Sequence, residues 1–223
     1  MRAAFFDVDG TLTKNRVWQG LREYFKTRGL RRWTLAYFWL YHMLLYLFYR
    51  LGLISAVGFR SPWARHMSWY FRGYSLDQTA EIWEWIVVEY IQDQWRLDIL
   101  EILKQHKQAG DIVFLVSGGP VGLLNRIKEE TGADHAVGTK HELIDGFYTG
   151  RAEGEACQGD NKAIFTKRLI MELGLDVDLQ QSFAYADSTS DLQLLEMVAN
   201  PIAVYPDDEF RALAVKQGWK IIS

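Results

Sequence analysis

The chain has 223 residues, a net charge of −3 and a single cysteine, Cys157. Its isoelectric point near 6.0 reflects no basic excess, so we expect no nucleic acid as a partner. One cysteine excludes an internal disulfide and is typical of a reducing compartment.

The first predicted element is a short apolar strand over residues 3–6, which ends in Asp7, Asp9 and Gly10. Such a run is typical of a strand buried on both faces of a parallel sheet. Asp7 and Asp9 point to the same side if the strand continues. Two like charges at this place need a cation, most simply a bound metal. An ordinary turn is the alternative, because Asp and Gly are common turn formers.

The segment after this strand has a helical pattern and holds most of the tryptophans. Eight of the nine lie between Trp18 and Trp95, and the composition then becomes that of an ordinary α/β domain. We therefore predict a helical, aromatic-rich module at residues 13–93, of a size that a small domain or cap can have, inserted into a core domain of residues 1–12 and 94–223.

Residues 33–49 carry no formal charge and are flanked by arginines. Their length is at the lower edge of a membrane span, but a single crossing would separate Asp7 from the rest of the core. Even extended to residue 59, the region is too short for two spans. It is therefore a core helix, the lining of an apolar pocket, or a surface that contacts a membrane peripherally through residues 33–59. Its Trp and Tyr content and basic flanks suit the last alternative.

A second buried strand is predicted at residues 112–116, and it runs into Ser117, Gly118 and a helix that begins near Val121. A strand, a glycine-bearing turn and a helix N-terminus together suit an anion such as phosphate. The hydroxyl of Ser117 adds a donor. A plain capped helix start is the alternative.

Lys162 stands at the start of the next predicted helix, with Asp160 as the expected N-cap. A cation in the first turn opposes the helix dipole, and a bound anion nearby would offset that cost. The alternative is an exposed lysine whose stem lies along the surface.

A later apolar strand at residues 182–186 ends in Asp187, and Asp191 follows before the next helix. Asp191 alone could be a helix cap or a first-turn acid. Strands and helices alternate from Leu97 onward, which predicts an α/β fold with a doubly wound, mostly parallel sheet. Ligands of such sheets bind outside the carboxyl ends of the strands, where all the polar residues named above are expected to meet.

These positions resemble the four motifs of the haloacid dehalogenase-like hydrolases, in the order and spacing of that superfamily. The matching positions are Asp7-Val8-Asp9-Gly10-Thr11, Ser117, Lys162 and the acidic run from Asp187 to Asp191. The helical insertion after the first motif is similar to the cap of the phosphoserine-phosphatase-like branch. The resemblance implies a three-layer αβα fold with a Rossmann-like core and an inserted all-helical cap.

The resemblance also implies a Mg²⁺-dependent phosphatase that forms an aspartyl-phosphate. Asp7 would be the nucleophile and Asp9 the general acid and base. The implied metal positions are Asp7, Asp9 through its backbone carbonyl, Asp187 and Asp191, and the implied phosphate-binding residues are Thr11, Ser117, Gly118 and Lys162. A second acid at Asp9 favours a phosphatase over a dehalogenase, which has no alkoxide to protonate.

One position departs from the phosphoserine phosphatases, which carry a Glu nine residues after the nucleophile. Here that position is Arg16, which would repel an ammonium group and favour a second anionic group. With the aromatic cap, this predicts a phosphomonoester with an apolar or lipid-like part. The alternatives are a small-metabolite phosphatase, a phosphotransferase and a non-catalytic membrane-associated binding module. We expect a cytoplasmic protein, either free or at the inner face of the membrane.

Overall fold

The computed structural model describes residues 1–223, except for the side chains of Ala56 and Val57. Six strands form a parallel sheet and two others form an antiparallel hairpin. The strands are β1 (Ala3–Asp7), β2 (Ile112–Pro120), β3 (His135–Thr139), β4 (His141–Ile144), β5 (Phe147–Ala152), β6 (Phe183–Ala186), β7 (Asn200–Val204) and β8 (Lys220–Ile222). The sheet order is β3-β2-β1-β6-β7-β8, and β4 pairs with β5.

Helices fill the connections between the strands. They are α1 (Trp18–Thr27), α2 (Arg32–Arg50), α3 (Ala56–His66), α4 (Leu76–Trp85), α5 (Leu97–Gln108), α6 (Val121–Thr131), α7 (Asp160–Glu172), α8 (Leu192–Leu195) and α9 (Asp208–Gln217). A π-helical turn, Ile86–Tyr90, continues α4. Between β1 and α5 the regular elements are helices and helical turns, joined by loops, and Thr13 and Ser75 form isolated β-bridges.

Strand β1 lies in the middle of the sheet, and its alternating side chains enter two different cores. Phe6 packs with residues of α5 and α6 on one face, whereas Phe5 packs with residues of α7, α8 and α9 on the other. Both phenylalanines are fully buried. This arrangement confirms the predicted three-layer α/β fold with a doubly wound, parallel sheet.

The hairpin of β4 and β5 packs against the helical insertion, although it follows β3 in the chain. The Tyr148 amide donates to the Tyr74 carbonyl at 2.9 Å, and the Gly73 amide donates to the Tyr148 carbonyl at 2.7 Å. These bonds join the hairpin to the segment between a 3₁₀-helical turn, Met67–Trp69, and α4. Part of the chain beyond residue 93 therefore packs with the helical insertion.

Helix α2 is the long apolar element of the insertion. Only Phe38 and His42 of this helix are buried. Across the residues that the structure describes, no helix combines the length and the hydropathy that a bilayer crossing requires.

The buried side chain of His141, the first residue of β4, should make the unfolding free energy depend on pH. Its Nε2 lies 3.4 Å from the Ala64 carbonyl, and burial lowers its pKa from 6.5 to about 4. Between these two pH values the unfolded chain binds a proton that the folded chain does not, so stability falls as the pH is lowered from about 6.5 to 4. From pH 7 to pH 5, wild type should lose about 2 kcal/mol more unfolding free energy than His141→Gln.

Urea unfolding at the two pH values measures this difference. The control is His135→Gln, because His135 is less buried and should change the pH dependence less. Parallel loss of stability in wild type and His141→Gln would contradict the prediction.

Candidate active site

The carboxyl end of β1 turns sharply at Gly10, which has a φ of +96°. This backbone conformation suits glycine. A Cβ atom at Gly10 would lie 2.1 Å from Asp187 Oδ2. Glycine is therefore required twice, once by the turn and once by the close approach of the carboxylate that follows β6.

Asp7 is buried and held by two donors at the end of β1. Thr11 Oγ1 donates to its Oδ2 at 3.0 Å, and Lys162 Nζ donates to its Oδ1 at 2.7 Å. Burial raises the pKa of Asp7 well above its usual range; Lys162 opposes this rise, and the carboxylates of Asp191 and Asp187 add to it. The Thr11 hydroxyl, predicted to bind phosphate, is thus engaged with Asp7.

Lys162 also donates to Asp191 Oδ1, so one ammonium group bridges two carboxylates. Only 4% of the residue is exposed, and the alternative of a solvent-exposed lysine is therefore wrong. Burial alone would lower its pKa, but Asp191 and Asp7 together raise it, so the side chain is charged. The expected N-cap is wrong as well: Gly159, not Asp160, precedes the first residue of α7.

Three carboxylates meet beside this lysine. Asp7, Asp187 and Asp191 each offer an oxygen atom, and these atoms lie within 4.8 Å of one another. Burial, with the nearby charge of Asp191, raises the pKa of Asp187 to about 6. A set of oxygen ligands whose mutual repulsion is only partly neutralised by one lysine fits a hard divalent cation such as Mg²⁺.

The Asp9 carboxylate lies outside this group and makes different contacts. The Val17 amide donates to its Oδ1 at 2.5 Å, and Ser117 Oγ donates to its Oδ2 at 3.1 Å. Burial raises the pKa of Asp9, although the Val17 amide and Arg16 act in the opposite direction. A carboxyl group with a raised pKa is suited to donating a proton.

Ser117 and Gly118 lie in β2, next to the carboxyl end of β1. Ser117 Oγ accepts the Gly119 amide at 3.1 Å, so this hydroxyl connects the turn to Asp9. A Cβ atom at Gly118 would lie 1.7 Å from Gln158 Nε2. The sequence analysis did not predict Gln158 as a site residue. Its position four residues before Lys162 is the sequence feature that could have indicated this.

A cavity of about 340 Å³ opens beside these residues. Its walls come from both the core and the helical insertion. The lining residues are Asp9, Arg16, Trp18, Phe59, Arg60, Trp63, Met67, Gly118, Gly119 and Gln158. Arg16, predicted from the sequence to contribute to substrate specificity, lines this cavity. Arg60 was missed, since its position depends on how α3 packs against the core.

The structure thus brings together Asp7, Asp9, Thr11, Lys162 and the acidic pair after β6 at one edge of the sheet, with Ser117 and Gly118 adjoining them. Residues 4–196 match the family model of the haloacid dehalogenase-like hydrolases. The chain belongs to this family, and the expected superfamily and enzyme class, a hydrolase, are confirmed.

Named relatives support the same branch. The chain is 31% identical over 224 residues to phosphoserine phosphatase SerB1 of Mycobacterium tuberculosis (strain ATCC 25618 / H37Rv), covering 98% of this chain and 70% of that protein. A Bordetella pertussis Tohama I protein of unknown function has a similar structure, with a TM-score of 0.85, 27% identity, and coverage of 100% of this chain and 98% of that one. A phospho-aspartyl intermediate analogue of phosphoserine phosphatase shares the fold, with a TM-score of 0.60, 18% identity, and coverage of 99% and 91%.

Proposed function

We propose that this protein is a Mg²⁺-dependent phosphomonoester phosphatase that forms an aspartyl-phosphate on Asp7. The observation that carries the proposal is the buried Asp7 carboxylate, held by Thr11 and Lys162 beside the second carboxyl group of Asp9. The phosphatase names of the relatives support it. Phosphoryl transfer requires a fixed nucleophile and positive charge near the phosphoryl oxygens, and Lys162 supplies such a charge beside Asp7.

In the first step an Asp7 carboxylate oxygen attacks phosphorus, and the bond between phosphorus and the ester oxygen breaks. Asp9 donates its proton to the leaving alkoxide. Lys162, the Ser117 hydroxyl and the Gly118 amide stabilise the negative oxygens of the phosphoryl group. Mg²⁺ held by Asp7, Asp187 and Asp191 supplies further charge neutralisation when bound.

In the second step water attacks the phosphorus of the Asp7 acyl-phosphate. Asp9, now ionised, accepts a proton from this water, and the bond between phosphorus and the Asp7 oxygen breaks. Inorganic phosphate leaves, and both carboxyl groups return to their starting states. The hydrogen bond from the Val17 amide keeps the Asp9 carboxyl group oriented through both steps.

The substrate carries an apolar part and a second anionic group. Trp18, Phe59 and Trp63 form an aromatic wall of the cavity, and Arg16 supplies a cation at the same cavity. Aromatic side chains with one guanidinium group suit an amphipathic phosphate. Residues 13–93 form a cap on the catalytic core of residues 1–12 and 94–223, and this cap selects the substrate.

The protein reaches such a substrate in the cytoplasm, at the inner face of the membrane, through a peripheral contact within residues 33–59. This placement is supported by the arginines that flank the apolar run and by the aromatic cavity wall. A peripheral protein needs no membrane-spanning segment.

A phosphate-release assay with soluble phosphomonoesters and short-chain lipid phosphates, with and without Mg²⁺, tests the proposal. We expect Mg²⁺-dependent release and a higher kcat/KM for lipid phosphates. Arg16→Met should lower kcat/KM about tenfold for substrates with a second anionic group, whereas the exposed control Arg151→Met should not. Absence of phosphate release from every substrate, with Mg²⁺ present, would contradict the proposal.

A further inference from the structure

The net charge of the chain is distributed very unevenly. Residues 24–76 contain eight lysines and arginines and no aspartate or glutamate, while the whole chain has a net charge of −3. The rest of the chain is therefore acidic, and the basic segment coincides with α2, α3 and their flanks. A local basic excess of this kind attracts anionic surfaces.

Helix α2 exposes apolar side chains within this basic segment. Trp33 is 90% exposed and Leu40 is 63% exposed, and their neighbours on the same side recur at helical spacing. We name this side the α2 face. It consists of Trp33, Tyr37, Leu40, Met43, Leu44, Leu47 and Phe48, together with Leu51 directly after the helix, all of them exposed.

The ends of the α2 face are positively charged. Arg32 begins the helix and Arg50 ends it, and both are exposed. The Arg50 guanidinium lies 5.9 Å from the centre of the Tyr46 ring. An apolar stripe between basic ends, on a helix that contains no acidic residue, is typical of helices that lie in the plane of a membrane interface.

A second copy of the chain is a poorer occupant than a membrane. A symmetric dimer through the α2 face would place two basic segments, each with the eight cations of residues 24–76, against one another, and like charges across an interface disfavour association. An anionic lipid leaflet provides both the complementary charge and the apolar layer.

We propose that the α2 face docks on an anionic lipid leaflet and delivers a lipid phosphate from that leaflet to the active site. The docking step stands on the α2 face alone, whereas the delivery step rests on the proposed phosphatase function. Leucine and aromatic side chains enter the acyl region, and the arginines remain among the phosphate headgroups.

Aromatic rings connect the end of α2 to the active-site cavity. The rings of Tyr49 and Phe59 stack with centroids 5.6 Å apart, Phe59 is 6.1 Å from Trp63, and Trp63 is 4.8 Å from Trp18. The last three of these residues line the cavity that contains Asp9. An acyl chain can follow this row, while its phosphate group reaches Asp7.

Vesicle flotation tests the docking step. Wild type should float with vesicles of mixed phosphatidylcholine and phosphatidylglycerol, and much less with phosphatidylcholine alone or at high salt. The triple variant Leu40→Ser, Leu44→Ser, Leu47→Ser should bind mixed vesicles at least about tenfold more weakly. The control variant carries Leu97→Ser, Met171→Ser and Val215→Ser, three exposed apolar residues that lie outside the helical insertion. It should float like wild type.

Several outcomes would overturn the docking step. These are wild type that fails to float with mixed vesicles, equal flotation with neutral and anionic vesicles, and a triple variant that floats like wild type. Circular dichroism and thermal unfolding check that the variants are folded. We expect them to fold because the substituted residues are exposed.

Phosphate release separates the two steps. The triple variant should hydrolyse soluble phosphomonoesters like wild type but hydrolyse a vesicle-embedded lipid phosphate at least about tenfold more slowly, since only the second substrate needs docking. Flotation without any phosphate release would contradict the proposed function and leave docking intact. Equal hydrolysis of the embedded lipid by wild type and the triple variant would overturn the delivery step.

Discussion

Asp7→Asn should abolish phosphate release, lowering kcat by about 10⁴-fold or more, and should leave the protein folded. The amide is a far weaker nucleophile than a carboxylate, and no other carboxylate takes its place: Asp9 is held by Val17 and Ser117. Thr11 can still donate a hydrogen bond to the amide oxygen, so the local geometry is retained.

The same substitution should change how metal stabilises the protein. The raised pKa of Asp7 means that its ionised form is disfavoured in the folded chain without metal, and stability from this group therefore falls as the pH rises. Asn removes that cost, so Asp7→Asn should unfold in a chelator at the same temperature as wild type or higher. Its stabilisation by Mg²⁺ should be smaller, because one ligand is lost.

Phosphate release and thermal unfolding, each with Mg²⁺ and with chelator, measure both effects. The matched control is Asp176→Asn, the same chemical change at an exposed loop residue, which should behave like wild type. Full turnover by Asp7→Asn would contradict the proposed nucleophile.

The convergence of the polar residues was predictable from the sequence because it follows from topology. Asp7 ends β1, Ser117 lies in β2 and Asp187 follows β6, and these three strands are neighbours in the sheet. Parallel strands place their carboxyl ends at one edge, so strand assignment alone brings these side chains together. Lys162 joins them through its place in the first turn of α7.

Other parts of the site could not be predicted because they depend on contacts distant in sequence. Arg60 reaches the cavity only because α3 folds back along α2. Gln158 is adjacent to Gly118 only after β2 and the start of α7 have packed together. The pairing of Tyr148 with Tyr74 joins two segments that no local pattern connects.

The apolar run of α2 was ambiguous for a different reason. Its sequence is apolar around most of the helix, and periodicity cannot then distinguish the buried side from the exposed side. The structure makes this distinction: Phe38 and His42 face inward, whereas Trp33 and Leu40 face outward. A purely internal core helix is thereby excluded.

Lys162→Met should lower the unfolding free energy in a chelator by about 3–5 kcal/mol and kcat/KM by about 10²- to 10³-fold. Wild-type Lys162 is the ammonium group that bridges Asp7 and Asp191. Without it, buried carboxylates face one another with no cation between them. The methionine fills a similar volume, so the loss arises mainly from charge rather than from a cavity.

Mg²⁺ should recover more stability in Lys162→Met than in wild type, since the metal then provides the missing positive charge beside Asp7, Asp187 and Asp191. Lys162→Arg keeps the charge and should be more stable than Lys162→Met. It should remain slower than wild type, because the planar guanidinium group presents its donors in a different geometry from an ammonium group. Lys167→Met, at an exposed position of α7, is the matched control and should resemble wild type. Unfolding in urea with chelator or Mg²⁺ measures these differences, and unchanged stability of Lys162→Met in chelator would show that the buried ammonium group does not hold the acidic cluster together.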